Sequence, residues 1–107
     1  MPRVRKPDAG TRRTLRHQLH DAVVAGGLPW SEAVRRMRSA LGMTQEQFAR
    51  AFRITKRQVA ELEAGTANPT VATLGRLGRP FGFRVGFIHP GDEAATAGRP
   101  DAASDDA

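Results

Sequence analysis

The sequence predicts an all-α domain of five short helices followed by one C-terminal strand, and three observations carry that reading. Apolar residues recur at helical spacing in five separate windows between residues 11 and 80. Two threonine-x-x-glutamine boxes, Thr44 with Gln47 and Thr55 with Gln58, stand eleven residues apart and mark the starts of two distinct short helices. A single alternating apolar segment, Phe83 to Ile88, lies beyond the last helical window.

Before the first helix, residues 1–10 combine two prolines, a glycine and the basic Arg3, Arg5 and Lys6 without periodicity, which reads as a disordered basic arm. From Thr11 the apolar Leu15, Leu19, Ala22 and Val23 fall on one helical face, and Gly26 and Gly27 end it. Ser31 is the expected cap of a second helix whose stripe is Val34, Met37 and Leu41, with Trp30 and Ala33 extending it and Trp30 expected as a packing anchor. Gly42 stops that helix, with Arg35, Arg36 and Arg38 largely off the stripe.

In the two boxed helices the threonine hydroxyl accepts from the third backbone amide while the glutamine reaches back to the threonine, so amides left unpaired at a helix start are satisfied. The first boxed helix offers Phe48, Ala49 and Phe52 to a core, and the second offers Val59 and Leu62 before Gly65. Asn68 and Pro69 suggest the start of a fifth helix carrying Val71, Leu74 and Leu77, kept short by Gly75 and Gly78.

One strand cannot satisfy its own backbone groups. Phe83, Val85, Phe87 and Ile88 are therefore expected to pair with the same segment of a second copy, an antiparallel ribbon across a dimer axis, unless the segment tucks onto the helices as irregular chain. His89, Pro90 and Gly91 close it, so residues 11–90 form the domain and the small, acidic residues 91–107 a disordered tail.

Charge points outward to a polyanion. The 107 residues carry a net +6, unevenly: residues 1–90 sum to +10, whereas residues 91–107 hold one basic and five acidic groups. Such an excess attracts nucleic acid first and an anionic membrane surface second. With no cysteine, disulfides, thiolate zinc sites and cysteine nucleophiles are excluded. His17 and His20 lack a third ligand nearby, so no metal or other cofactor is expected. No nucleophile–base pairing, phosphate-cradling glycine loop or carboxylate pair suggests an enzyme. A chain without an apolar run of membrane-spanning length or a secretory leader is expected in the cytoplasm.

The stretch LGMTQEQFARAFRITKRQVAELEAG, Leu41 to Gly65, resembles the helix-turn-helix of phage repressor and Cro proteins. The likeness extends over residues 30–80 with the flanking helices, and it implies a five-helix repressor-like DNA-binding domain with Thr55–Gly65 as its recognition helix. It implies that Lys56, Arg57 and Glu61 face base edges, that Thr55 and Gln58 lie near the sugar-phosphate backbone, and that Gln45 grips phosphate at its helix start. Arg57 has the planar fork that matches guanine O6 and N7; Lys56 either reads guanine less strictly or holds a phosphate; Glu61 either accepts from a cytosine amine or orients Arg57 one turn back. Arg53 stands where this family usually has glycine, so either a strained left-handed residue or a differently shaped turn is expected.

The function implied is a sequence-specific repressor acting as a homodimer on a near-palindromic operator in double-stranded DNA. The short helical domain followed by FGFRVGFI also resembles the antitoxin partner of bacterial toxin-antitoxin pairs, which adds a toxin protein as a candidate partner. The alternative is a protein-interaction module for which DNA contact is incidental.

Overall fold

The computed structural model describes residues 7–89; the expected basic arm with Arg3, Arg5 and Lys6 and the expected acidic tail 91–107 lie outside the described residues. Five helices follow one another: α1 (Ala9–Ala25), α2 (Trp30–Leu41), α3 (Gln45–Phe52), α4 (Lys56–Ala64) and α5 (Val71–Gly78), then a 3₁₀ turn at Arg79–Phe81. Helix α1 packs on α2, and α2 and α3 both pack on α4.

Each helix sends at least one side chain to a shared core: Leu19, Val34 and Met37, Phe48 and Ala49, Val59 and Leu62, and Leu77. Phe48 is fully enclosed and its ring lies 4.5 Å from that of Phe52, so truncating it to alanine would cost about 3 to 5 kcal/mol. Ala49 is buried on α3, which packs against α4, and a small buried residue lets packed helices approach closely.

Several helix starts differ from expectation. Helix α1 begins at Ala9, two residues before Thr11, because the Asp8 side chain accepts from the Thr11 amide at 2.7 Å; this bond holds the Asp8 carboxyl below its usual range. Helix α2 begins at Trp30 behind Pro29, with no side-chain cap; Ser31 is inside the helix, with its hydroxyl against Gly65 at the end of α4. Helix α5 is capped by Thr70, whose hydroxyl accepts from the Thr73 amide at 3.0 Å, and not by Asn68.

Of the expected face residues, Leu15, Ala22 and Leu74 are half-buried outside the core, and two more are exposed. Val71, at the first position of α5, is 69% exposed, and Trp30, at the first position of α2, is 41% exposed; a side chain in an opening turn reaches past the end of the packed face.

Among the described residues no strand forms. The segment expected as a strand, Phe83–Ile88, runs as irregular chain, since its backbone has no edge to pair with. Its first residue returns to the domain: the Phe83 amide donates to the Gly78 carbonyl at 3.0 Å and the side chain packs on the core margin, while Arg84 and Val85 line a shallow recess with Val71 and Gly75 of α5. A β-carbon on Gly78 would lie 3.1 Å from that of Phe83, so glycine there permits the approach. Val85, Phe87 and Ile88 are exposed, Phe87 completely.

Candidate nucleic-acid interface

Helices α3 and α4 are joined by a three-residue turn, Arg53–Thr55, and the local chemistry of that turn sets the angle between them. Arg53 adopts φ 59° and ψ 45°, the left-handed region, and is the one non-glycine residue with positive φ among the described residues. Its amide donates to the Arg50 carbonyl at 3.4 Å and the next amide, of Ile54, to the Ala49 carbonyl at 3.0 Å. This paired closure of a helix end requires left-handed backbone. Gly42 after α2 and Gly65 after α4 make the same pair of bonds, so Arg53 does the work of a glycine. The turn therefore has the short, left-handed form in place of a longer one.

Both capping boxes form in full. Thr44 and Gln47 exchange bonds of 2.9 and 3.1 Å, and Thr55 and Gln58 exchange bonds of 2.8 and 3.0 Å. The outer face of α4 then carries Lys56, Arg57 and Ala60, all exposed, while Val59, Leu62 and Glu63 point inward. Glu61, partly exposed, accepts from Arg57 Nε at 3.1 Å. Because that bond uses Nε, the two terminal nitrogens of the guanidinium stay free to project from the surface, and the Arg57 side chain is 87% exposed. Ala60, three residues after Arg57 and four after Lys56, shares their face; its place was available from spacing alone, and its methyl suits contact with a thymine methyl.

Gln45, expected at a phosphate, turns its amide inward: Nε2 donates to Glu63 Oε1 at 3.1 Å. Glu63 is the hub of a network that sequence spacing did not reveal. Arg38 from α2 meets it with Nε at 2.6 Å and Nη2 at 3.0 Å, while Arg38 Nη1 donates to the Met43 carbonyl at 3.1 Å and Arg35 donates to the Glu63 carbonyl. Burial pushes the Glu63 carboxyl up, but the hydrogen bonds from Arg38 and Gln45 and the charges of Arg38 and Arg35 outweigh it, and the pKa is held below the usual carboxylate range. The same hydrogen bond raises that of Arg38. The end of α4 is thereby tied to α2 and to the start of α3, which holds the exposed start of α4 in place.

Residues 34–88, just over half of the chain, match the Helix-turn-helix family model, of the Cro/C1 type. The chain belongs to that family. No curated protein and no solved structure matches the chain. As a Cro/C1-type helix-turn-helix protein it is a DNA-binding transcription regulator, and α3, the turn and α4 are its motif. Among the described residues, no helix is long and apolar enough to cross a membrane.

Proposed function

We propose that this helix-turn-helix protein is a sequence-specific repressor that inserts the start of α4 into the major groove as a homodimer on a near-palindromic operator. The observation that carries the reading is the free end of the Arg57 fork, held from behind by Glu61 and flanked by exposed Lys56. Two parallel donors on a planar group match guanine O6 and N7, an arrangement worth roughly 1 to 3 kcal/mol of discrimination. Glu61 takes the orienting role. Thr55 and Gln58, locked in their capping box, approach the backbone, and Gln45 offers a phosphate the second hydrogen of its amide.

The exposed Val85, Phe87 and Ile88 favour a partner for the C-terminal segment. A second copy suits it because an alternating segment pairs antiparallel with itself across a two-fold axis, placing two recognition helices about 34 Å apart on successive major grooves. A toxin bound over the same segment would make the chain an antitoxin, and a toxin reading frame beside its gene is the feature that supports this narrower role.

Selection of bound sequences from a random duplex pool tests the reading. A two-fold symmetric motif with guanine at matching positions in each half is the expected result. Recovery of unenriched sequence, or undiminished binding after Lys56→Ala with Arg57→Ala, leaves the interaction-module alternative in its place.

A further inference from the structure

On another part of the molecule, helix α1 and the chain after α5 enclose an open recess of about 430 Å³, lined by Arg13, Arg16, His17, His20, Phe81 and Phe83. No residue of the turn or of α4 takes part in it. From this recess we infer that the protein holds a small aromatic carboxylate there, a ligand separate from DNA.

The lining divides into two halves with different chemistry. Phe81 and Phe83 stack with ring centres 5.9 Å apart and 17° between planes, and His20 lies 6.2 Å from Phe83 at 33°. These three rings form a platform for a planar apolar group. Arg13 and Arg16, one turn apart on α1, provide fixed positive charge at its edge, and His17 and His20 add ring N–H donors.

Nothing negative shares the recess: no carboxylate lines it. Among the described residues Arg13 and Arg16 form no ion pair, and neither do other surface arginines such as Arg50 and Arg76, but Arg13 and Arg16 stand together beside an aromatic recess. Two uncompensated guanidinium groups beside an aromatic platform fit a ligand with a ring at one end and a carboxylate at the other. The guanidinium fork can take the carboxylate through two parallel bonds. The volume lies in the range typical of small-molecule sites and suits one or two fused rings.

The platform also connects the recess to the C-terminal segment. Phe83 is both a wall of the site and the residue from which the exposed Val85–Ile88 chain departs, so a bound ring fixes the root of that segment.

Titration of the full-length protein with 1-naphthoate, followed by amide and ring proton NMR, tests the inference. The expected result is a dissociation constant of about 1 mM or tighter, with shifts at His17, His20, Phe81 and Phe83. The uncharged 1-naphthamide should bind at least about tenfold more weakly, as should the Arg13→Glu, Arg16→Glu double variant, tenfold being the loss of one charge-assisted contact. Both arginines are exposed, so that variant should keep the thermal midpoint of the wild type. The Lys56→Ala, Arg57→Ala variant should bind 1-naphthoate as the wild type does, which separates this site from the DNA-reading face. Equal affinity for naphthoate and naphthamide overturns the proposal, as does undiminished binding by the double-glutamate variant or shifts confined to Val85–Ile88.

Discussion

Arg38 and Glu63 meet across the junction of α2 and α4 through two parallel contacts, Nε to Oε2 at 2.6 Å and Nη2 to Oε1 at 3.0 Å, with Glu63 only 6% exposed. A buried carboxylate is costly unless its charge and lone pairs are matched. Here Arg38 matches the charge, Gln45 takes a further lone pair, and the result orients α4 relative to α2 and α3. The pair thus fixes the orientation of α4 without touching its outer face.

Removing one partner should cost far more than removing both. Arg38→Ala leaves the Glu63 charge buried without its main partner, and a loss of about 3 kcal/mol is expected. Arg38→Met combined with Glu63→Leu replaces the pair by apolar groups of similar size and should recover most of that loss. Urea unfolding of the two variants reads the difference; a double variant no more stable than Arg38→Ala rules out the buried-charge explanation.

Acid should release the same lock. The folded-state pKa of Glu63 is lowered, so its contribution to stability is complete above the unfolded value of about 4.5 and disappears as pH falls through the folded value. Asp8 and Glu32 are lowered too, but both are solvent-screened at helix starts. The fall in unfolding free energy from pH 7 to pH 3 should therefore be smaller in Glu63→Gln than in the wild type, while Glu63→Gln is the less stable of the two at pH 7. An identical fall in both proteins would show that titration of Glu63 is not coupled to folding.

The turn makes a different demand on stability. A left-handed residue with a β-carbon costs roughly 1 to 2 kcal/mol, and glycine avoids that cost while losing part of the gain to its freer unfolded chain. Arg53→Gly should stabilise the protein by up to about 1 kcal/mol, and Arg53→Val, with its branched β-carbon, should destabilise it by at least about 1 kcal/mol. Thermal unfolding provides the check. Equal midpoints for the glycine and valine variants would mean that the left-handed turn is not maintained.

What could be read from sequence divides according to the range of the forces. Capping is local, so Thr44 and Thr55 located the starts of α3 and α4, and the 3.6-residue spacing of Val34, Met37, Val59 and Leu62 located the core faces. Where two local candidates competed, spacing could not choose: Asn68 and Thr70 both suit a cap, and Thr70 is the one whose hydroxyl reaches an amide. Spacing along one helix assigns no partner to Glu63, because its partners lie 18 and 25 positions away. The Phe83–Ile88 alternation predicted a strand, yet pairing needs an edge that one chain does not supply. Of the proposed reading residues, Lys56, Arg57 and Glu61 were placed by resemblance. The inward turn of Gln45 depended on Glu63 and so was hidden with it.

The exposed C-terminal segment gives a separable test of dimerisation. Phe87 contributes nothing to the fold of a single chain, being fully exposed, so Phe87→Asp should leave the thermal midpoint of the helical domain unchanged at low concentration. In the ribbon proposed above, Phe87 faces its partner and a buried aspartate is unfavourable there. Sedimentation equilibrium should give a dimer for the wild type and a monomer for Phe87→Asp. A monomeric wild type, or a variant that remains dimeric, removes the ribbon from the proposal.

The contact between Arg57 and Glu61 makes the last prediction depend on what each variant does to specificity in comparison with affinity. Arg57→Ala removes a base-reading fork and should cost about 1 to 3 kcal/mol on the cognate site while relaxing preference at one position of each half-site. Lys56→Ala, if its ammonium holds a phosphate, should weaken cognate and random duplex alike and lower the salt slope by about 0.9. Glu61→Ala removes a negative charge that repels phosphate and also the acceptor that orients Arg57, so the two effects act in opposite directions. Affinity for random duplex should hold or rise as affinity for the cognate site falls, and the ratio between them should drop several-fold. Were Glu61 a direct reader of cytosine, Glu61→Ala would instead change preference at a base pair that Arg57→Ala leaves intact; fluorescence anisotropy with single-substituted operators distinguishes the two outcomes.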